Sequence, residues 1–329
     1  MKKITIIGTN IEDSFEFHLY NTVLKMGYLC ELIDPFYGTG ILREAIRKIN
    51  YFDALPLFHW DIIFKRITNI NPDLVIVAYR DFHPLLVKKI KAQGIKIIHI
   101  NPDTITTLNR QAIFSEPYDY YFVKSDFMLN FMTKKLGLNT YRYSEAYNQS
   151  HLVSSYNSKL EAEDEEKIDV LMYGGYYPAK TRMASELSKQ GINLQLYGSK
   201  GFYFPKELEP NFNDLYLKGE QKANKIFGSK VVYNNLLFAE IDSLNCRFFE
   251  TIGAAGVPIT DNVLELRKIY NTDYIKYISY DNLSEVKDKI TFLLNENNLR
   301  LEISDYNKSL SKEYTYEKML GRIFEIINT

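Results

Sequence analysis

The sequence predicts an α/β protein of two Rossmann-like domains facing across a cleft, with its C-terminal helix packing back on the first. Three observations carry this. Short runs rich in Ile and Val alternate with helix-period segments from the first residues onward, the pattern of a parallel sheet with crossover helices. The alternation breaks at an acidic run, Glu161-Ala162-Glu163-Asp164-Glu165-Glu166, and then restarts. The length of 329 residues suits two cores of about 150 residues each better than one.

In the first half, strands are expected at Ile4 to Gly8, Leu29 to Ile33, Leu74 to Ala78, Ile95 to Ile100, Tyr120 to Val123 and Thr140 to Tyr143. Helices fill the intervals. Gly27, Gly94 and Gly137 each stand where a helix stops and a strand follows, the place for a left-handed cap. Residues 1–160 therefore read as the first domain. The run 161–167 carries like charges that repel and offers nothing apolar to bury, so it reads as a linker. Beyond it, strands at Ile168 to Tyr173, Leu194 to Tyr197, Val231 to Tyr233, Val257 to Thr260 and Tyr274 to Ser279 give a second domain over 168–312. Helices near 284–296 and 316–327 follow. The last, within 313–329, has Met319, Leu320, Ile323, Phe324 and Ile327 on one face and must pack on something. Open parallel sheets bind ligands beyond the carboxyl ends of their strands, so the cleft is the expected site.

Hydrophobic residues at 46% and charged residues at 25% describe a soluble globular chain. A net charge of -1 supplies no concentrated positive field, so no nucleic-acid partner is expected. Cys30 and Cys246 are the only cysteines, which excludes a disulfide framework, and no His, Asp or Glu spacing argues for a metal. The apolar run Ile4 to Gly8 is too short for a signal peptide, and nothing reaches the ~18 apolar residues of a membrane span. A cytoplasmic location is expected, with any membrane contact peripheral and at the inner face. Leu57 to Ile67, apolar, aromatic and basic at one end, suits core packing or an interfacial helix.

The densest chemistry lies in the second half. Asp242 to Thr260 reads as a helix with Asp242 as acidic N-cap candidate, a glycine stop at Gly253 and an immediate return into a strand. Around Ser243, Leu244 and Asn245, the helix start offers unpaired N–H groups and a positive dipole end to a diphosphate. Arg247 and Glu250, three apart, share a face, and a carboxylate one or two turns along can accept both hydroxyls of a ribose. The alternative is a surface helix whose Arg247 and Glu250 merely pair. Upstream, Gly174 and Gly175 follow a strand and let backbone approach a ligand, while Lys180 and Arg182 bring positive charge to a helix start where it is unfavourable without an anion. Phosphate binding and a plain strand-to-helix turn both fit this segment, which is neither a Walker loop nor a G-x-G-x-x-G fingerprint. Tyr197 and Gly198, ending the next strand, join the same edge.

In the first half, the loops after strands carry Thr9, Asn10, Asp13 and His18, then Tyr79, Arg80, Asp81 and His83, then Asn101, Pro102 and Asp103. Asp103 and His18 are the candidates to take a proton from an acceptor hydroxyl; both also suit capping or hydrogen bonding. Asn10, Tyr79, Arg80 and Asn101 are the candidate acceptor-side residues. His99, inside a strand, reads as structural. No G-x-S-x-G motif supports covalent catalysis.

These residues together have a familiar arrangement. Arg247-Phe248-Phe249-Glu250 with Gly253-Ala254-Ala255-Gly256-Val257-Pro258, preceded by Lys225-Ile226 and Val231-Val232-Tyr233-Asn234-Asn235 and followed by Tyr314-Thr315-Tyr316 and Arg322, resembles the GT-B glycosyltransferases of the glycosyl-transferase group 1 type, in the branch related to spore-maturation (CgeB-like) proteins. Weaker similarity runs through Asn71-Pro72-Asp73, Asn101-Pro102-Asp103 and Tyr118 to Ser125. The resemblance implies metal-independent transfer of a sugar from a UDP-, GDP- or dTDP-sugar to a glycan or lipid-linked acceptor in cell-surface polysaccharide or glycoconjugate synthesis, with no resident cofactor. It implies Glu250 on the ribose and Lys180 or Arg182 near the diphosphate. Many relatives carry two glutamates eight positions apart; here the shorter Asp242 holds the earlier position. A nucleotide-sugar epimerase or hydrolase on the same fold, or a non-catalytic two-lobed binding protein, are the alternatives.

Overall fold

The computed structural model describes residues 2–36, 45–46, 49, 57–78, 80, 82–103, 111–270 and 272–328. The chain divides into two compact units, Met1–Tyr143 with Met319–Thr329, and Ser144–Lys318.

In the first unit β1 (Lys3–Ile7), α1 (Phe15–Lys25), β2 (Leu29–Ile33), α2 (Leu57–Ile70), β3 (Leu74–Val77), α3 (Pro84–Ala92), β4 (Lys96–Ile100), β5 (Tyr120–Val123), α4 (Asp126–Asn130) and β6 (Thr140–Arg142) follow one another. The sheet is parallel, in the order β2-β1-β3-β4-β5-β6. Strands covered on both faces read as unbroken Ile and Val runs, and every residue of β3 is buried. Ile7, Val75, Val77 and Ile97 pack against Trp60, Ile63 and Ile67 of α2 and Leu86, Val87 and Ile90 of α3. Core packing thus accounts for the apolar face of α2, while Lys65 and Arg66 are exposed. Gly27, Gly94 and Gly137 have φ of 84°, 75° and 65°; space for a Cβ is open at all three, so the conformation alone favours glycine there.

The second unit contains α5 (Lys159–Glu166), β7 (Ile168–Tyr176), α6 (Pro178–Lys189), β8 (Leu194–Lys200), β9 (Phe212–Asn213), α7 (Gly219–Phe227), β10 (Ser229–Asn234), α8 (Cys246–Gly253), β11 (Pro258–Asp261), α9 (Leu264–Ile269), α10 (Ile275–Ile278), β12 (Ser279–Tyr280), α11 (Leu283–Asn295) and α12 (Asn297–Leu310). Its parallel order is β12-β11-β10-β7-β8-β9, so the direction of winding reverses between β7 and β10. A crevice opens at such a switch point, outside the strands' carboxyl ends.

Three expectations change. The acidic run is helix α5, not a linker, and the units part between Tyr143 and Ser144. Ser158 caps it, and its charges are met by distant partners: Glu163 by Arg300 at 2.8 Å and Glu166 by Lys225. Tyr274 to Ser279 is mostly the helical turn α10, because Ile275 and Ile278 are spaced to face the core together. Finally, β9 and α12 stand where no element was expected.

The chain returns to the first unit through α13 (Tyr316–Asn328), from Met319 onward. Leu320, Ile323, Phe324 and Ile327 are buried, Phe324 lies edge-on to Tyr28 at 5.3 Å, and Lys2 and Lys96 donate to Asn328 Oδ1 and the Ile327 carbonyl at 2.8 and 2.5 Å. Cations at a helix C-terminus meet its unpaired carbonyls favourably. Among the described residues, no helix is long and apolar enough to cross a membrane.

Candidate functional site

The polar residues of the second unit gather at the switch point. Gly174 (φ 102°) lies opposite Gly198 (φ 131°) in the β7–β8 register, and a Cβ on Gly198 would sit 2.0 Å from the Gly174 carbonyl oxygen. Only glycine allows so close an approach. The chain then turns at Tyr177 into α6, with Pro178 in its first turn and no side chain capping its N–H groups.

Two basic groups flank Gly174. From the position of a Cβ on that residue, Arg247 Nη1 would be 3.2 Å away and Lys180 Nζ 3.7 Å away. Lys180 is 1% exposed; its amine donates to the Tyr173 carbonyl at 2.5 Å and lies 4.6 Å from the centre of the Tyr176 ring. Burial first, and the charge of Arg247 second, hold the Lys180 pKa well below the ordinary lysine range. Neither Lys180 nor Arg247 has an ion-pair partner among the described residues.

Arg247 is aimed by an amide network. Its Nε donates to Asn234 Oδ1 at 3.2 Å, the side chains of Asn234 and Asn245 exchange hydrogen bonds at 3.0 and 3.3 Å, and Asn245 Oδ1 accepts from Phe248 N at 3.1 Å. The cap of α8 is therefore Asn245, which corrects the expectation of Asp242. The helix starts late because buried Glu265 takes the Leu244 N–H at 2.6 Å and Ser243 bonds Glu240 at 2.5 Å, holding 242–244 outside it.

Glu250 points away from Arg247 instead of pairing with it. Its Oε1 lies 2.7 Å from Lys222 Nζ and its Oε2 3.1 Å from the Tyr173 hydroxyl, which is also 3.1 Å from the Arg247 carbonyl. Burial raises the Tyr173 pKa well above its ordinary value, so the hydroxyl stays a donor. Beside Arg247, Tyr177 takes a 3.5 Å bond from Asn235. At the end of β11, Asp261 Oδ2 accepts from Leu236 N at 2.8 Å and the Tyr280 hydroxyl at 2.9 Å, and burial raises its pKa.

Gly174, Lys180, Asn245, Arg247 and Glu250 thus come together, joined by Tyr173, Tyr177, Lys222 and Asn234, which sequence reasoning did not select. Asn234-Asn235 at the end of a buried Val-Val-Tyr run was the available signal. Gly175 lies beside Ser199. Arg182 is exposed and holds no bond to the cluster. Tyr197 is packed with Ile226 and Leu171 and bonds Gln195 at 3.4 Å.

In the first unit, Asn10 N donates to Asp34 at 3.2 Å, and His18, 5% exposed, has Nε2 3.1 Å from Asp13 Oδ1. Arg80 and Asp103 form an exposed pair at 3.4 Å. The Asn101 carbonyl accepts from the Tyr143 hydroxyl at 3.0 Å, while its buried amide has no partner among the described residues. His99 is fully buried beside the rings of Tyr118 and Tyr121, a packing role. Tyr79 and Asp81 lie outside the described residues.

Residues 180–325 match the family described as Glycosyl transferase-like. Lys180, Lys222, Asn234, Arg247 and Glu250 all fall inside that span. No curated protein matches the chain in sequence. The fold is that of GT-B glycosyltransferases. Sucrose-phosphate synthase from Thermosynechococcus elongatus is 9% identical with a TM-score of 0.72, over 100% of this chain and 98% of that one. Anabaena HepE in complex with UDP is 9% identical with a TM-score of 0.71, over 100% of both chains. A glycosyltransferase from Rickettsia africae is 11% identical with a TM-score of 0.67, over 99% and 97%. At these identities the likeness is one of fold.

Proposed function

We propose that the protein is a glycosyltransferase that moves a sugar from a nucleoside diphosphate sugar to a glycan or lipid-linked acceptor. The observation that carries this is the convergence of Lys180 and Arg247 on Gly174 without a carboxylate partner, beside the uncapped start of α6. Such a place wants an anion. Glu250, one turn along α8, is a carboxylate set apart from both basic groups, as a ribose contact needs to be.

In this reading the acceptor oxygen attacks the anomeric carbon while the bond from that carbon to the diphosphate breaks and its electron pair leaves with the nucleotide. Negative charge grows on the diphosphate, where Lys180, Arg247 and the α6 N–H groups meet it. These groups supply the charge that a divalent ion supplies elsewhere, so transfer proceeds without a metal. The hydroxyl proton passes to His18, which Asp13 orients, or to Asp103. Asn10, Tyr79, Arg80 and Asn101 recognise the acceptor, and Gly175, Arg182, Tyr197, Gly198 and Asp242 to Asn245 border the donor. Arg247-x-x-Glu250 supports the spore-maturation (CgeB-like) branch, and a lipid-linked acceptor would bring the protein to the inner face of the membrane in cell-surface polysaccharide or glycoconjugate synthesis.

The test is a thermal-shift screen with UDP, GDP, dTDP, CDP and their sugars, followed by donor turnover with and without candidate acceptors and with EDTA. Stabilisation by at least one diphosphate and acceptor-dependent, EDTA-insensitive turnover are expected. If none of these nucleotides stabilises the protein, the reading fails; turnover without acceptor would point to a hydrolase or epimerase.

A further inference from the structure

Lys222 is a basic side chain that the donor reading does not use. It lies on α7 with 5% of its side chain exposed, in a row with buried Ala223 and Ile226, and its amine is 2.7 Å from Glu250 Oε1. An amine so buried costs free energy unless a carboxylate answers it, and helix α7 is itself anchored to α5 through Lys225 and Glu166. The charge therefore arrives at Glu250 on a rigid element. The other oxygen is held by the Tyr173 hydroxyl at 3.1 Å.

The lone pairs can be counted. A carboxylate has about four acceptor positions, two on each oxygen. One on Oε1 is taken by Lys222, and one on Oε2 faces the Tyr173 hydroxyl, which shares its single proton with the Arg247 carbonyl; at least one position on each oxygen is left. That is the complement of two adjacent hydroxyl donors. Without Lys222 the terminal torsion of a glutamate is broad, and the pair of open positions loses its aim.

We infer that Lys222 is a positioning residue that fixes the Glu250 carboxylate to accept both hydroxyls of a vicinal diol, so that the site selects ribonucleotide donors over 2′-deoxyribonucleotide donors. This rests on the reading of Glu250 as the ribose contact. It also narrows that reading: dTDP-sugars, which lack the 2′-hydroxyl, become poor donors.

The experiment is calorimetric titration of the full chain with matched pairs, UDP against 2′-deoxy-UDP and GDP against 2′-deoxy-GDP. In the unchanged protein the ribonucleotide of the base that binds is expected to bind about 10- to 100-fold more tightly, the effect of one lost hydrogen bond to a charged group. In Lys222→Met the ribonucleotide falls toward its deoxy partner and the ratio approaches one, with the deoxy affinity little changed. Lys222→Arg, which keeps the charge, restores a ratio above one. Because a half-buried carboxylate without its cation lowers stability, Lys222→Met/Glu250→Gln is measured too; it should melt near the unchanged protein yet still not discriminate. Failure of every diphosphate to bind the unchanged protein overturns the donor reading itself. Binding with a ratio of one leaves the donor reading standing and overturns this inference. A Lys222→Met protein that keeps the full ratio, or that loses both members of a pair equally, also overturns it.

Discussion

Nucleoside diphosphate binding should weaken as the pH rises, and Lys180 should set where. Its amine is buried beside Arg247, and both facts favour the neutral form in the free protein. A bound diphosphate supplies the opposite charge and favours the ammonium. Binding therefore takes up a proton at any pH above the lowered value of the free protein and below that of the complex. In that window affinity falls by up to about tenfold per pH unit; below it, Lys180 contributes no slope. The stability of the free protein runs the other way. A lysine whose pKa is depressed by folding binds more protons unfolded, so stability rises with pH from the lowered value to the ordinary lysine range. Replacing Lys180 with Met removes a charged hydrogen-bond donor worth about 1.5–3 kcal/mol, or about 10- to 150-fold in affinity, and abolishes the slope. Calorimetry in two buffers of different protonation enthalpy, above about pH 7 where phosphate's own second ionisation is complete, counts the protons taken up. A slope that persists in Lys180→Met, or Lys180→Met binding as tightly as the unchanged protein, refutes the assignment of Lys180 to the diphosphate.

Other consequences follow from the packing around the site. Gly198→Ala would place a methyl carbon 2.0 Å from the Gly174 carbonyl oxygen at a φ of 131°, so it should lower stability by more than about 3 kcal/mol and abolish nucleotide binding, as chemical denaturation and titration would show. Asn245→Ala removes the cap of α8 at a cost of about 0.5–2 kcal/mol, and should weaken diphosphate binding as well, because Asn234 loses its partner and Arg247 its aim. Arg300→Met strips the 2.8 Å partner from buried Glu163, which keeps Lys159 at 3.6 Å; a loss toward the lower end of about 3–5 kcal/mol is expected in urea, with little change in nucleotide affinity in the protein that remains folded.

The strands were legible where they are covered on both faces. Leu74 to Val77 and Tyr120 to Val123 have no polar alternation to confuse the reading, and the expected and observed elements differ by a residue or less. The charge run 159–166 hid its helix behind like charges, whose main partners Arg300 and Lys225 lie 137 and 59 residues away from Glu163 and Glu166, while the local signals, Ser158 capping Glu161 N and Lys159 four residues before Glu163, were there to be read. The site was half visible. Arg247 and Glu250 could be placed on one helix start from spacing alone, but the groups that divide their roles, Tyr173 and Lys222, come from 77 and 28 residues upstream of Glu250. Asp242 and Asn245 are equally good caps by residue type. What separates them is Glu265, buried on the following helix, which draws the Leu244 N–H out of the first turn.

The return of α13 to the first unit bears on how the protein comes into being. That unit is encoded in two pieces with the whole of the second unit between them, and Lys2 meets Asn328 across 326 positions. Chains fold domain by domain as they are synthesised, N-terminal first. Here the N-terminal sheet must wait, with the seat of Ile323, Phe324 and Ile327 uncovered, until the second unit has been made. A nascent chain stalled before Met319 would present a complete second unit and a first unit lacking one wall. Damage near the end of the chain should accordingly be felt at its beginning, as proteolysis of the first sheet.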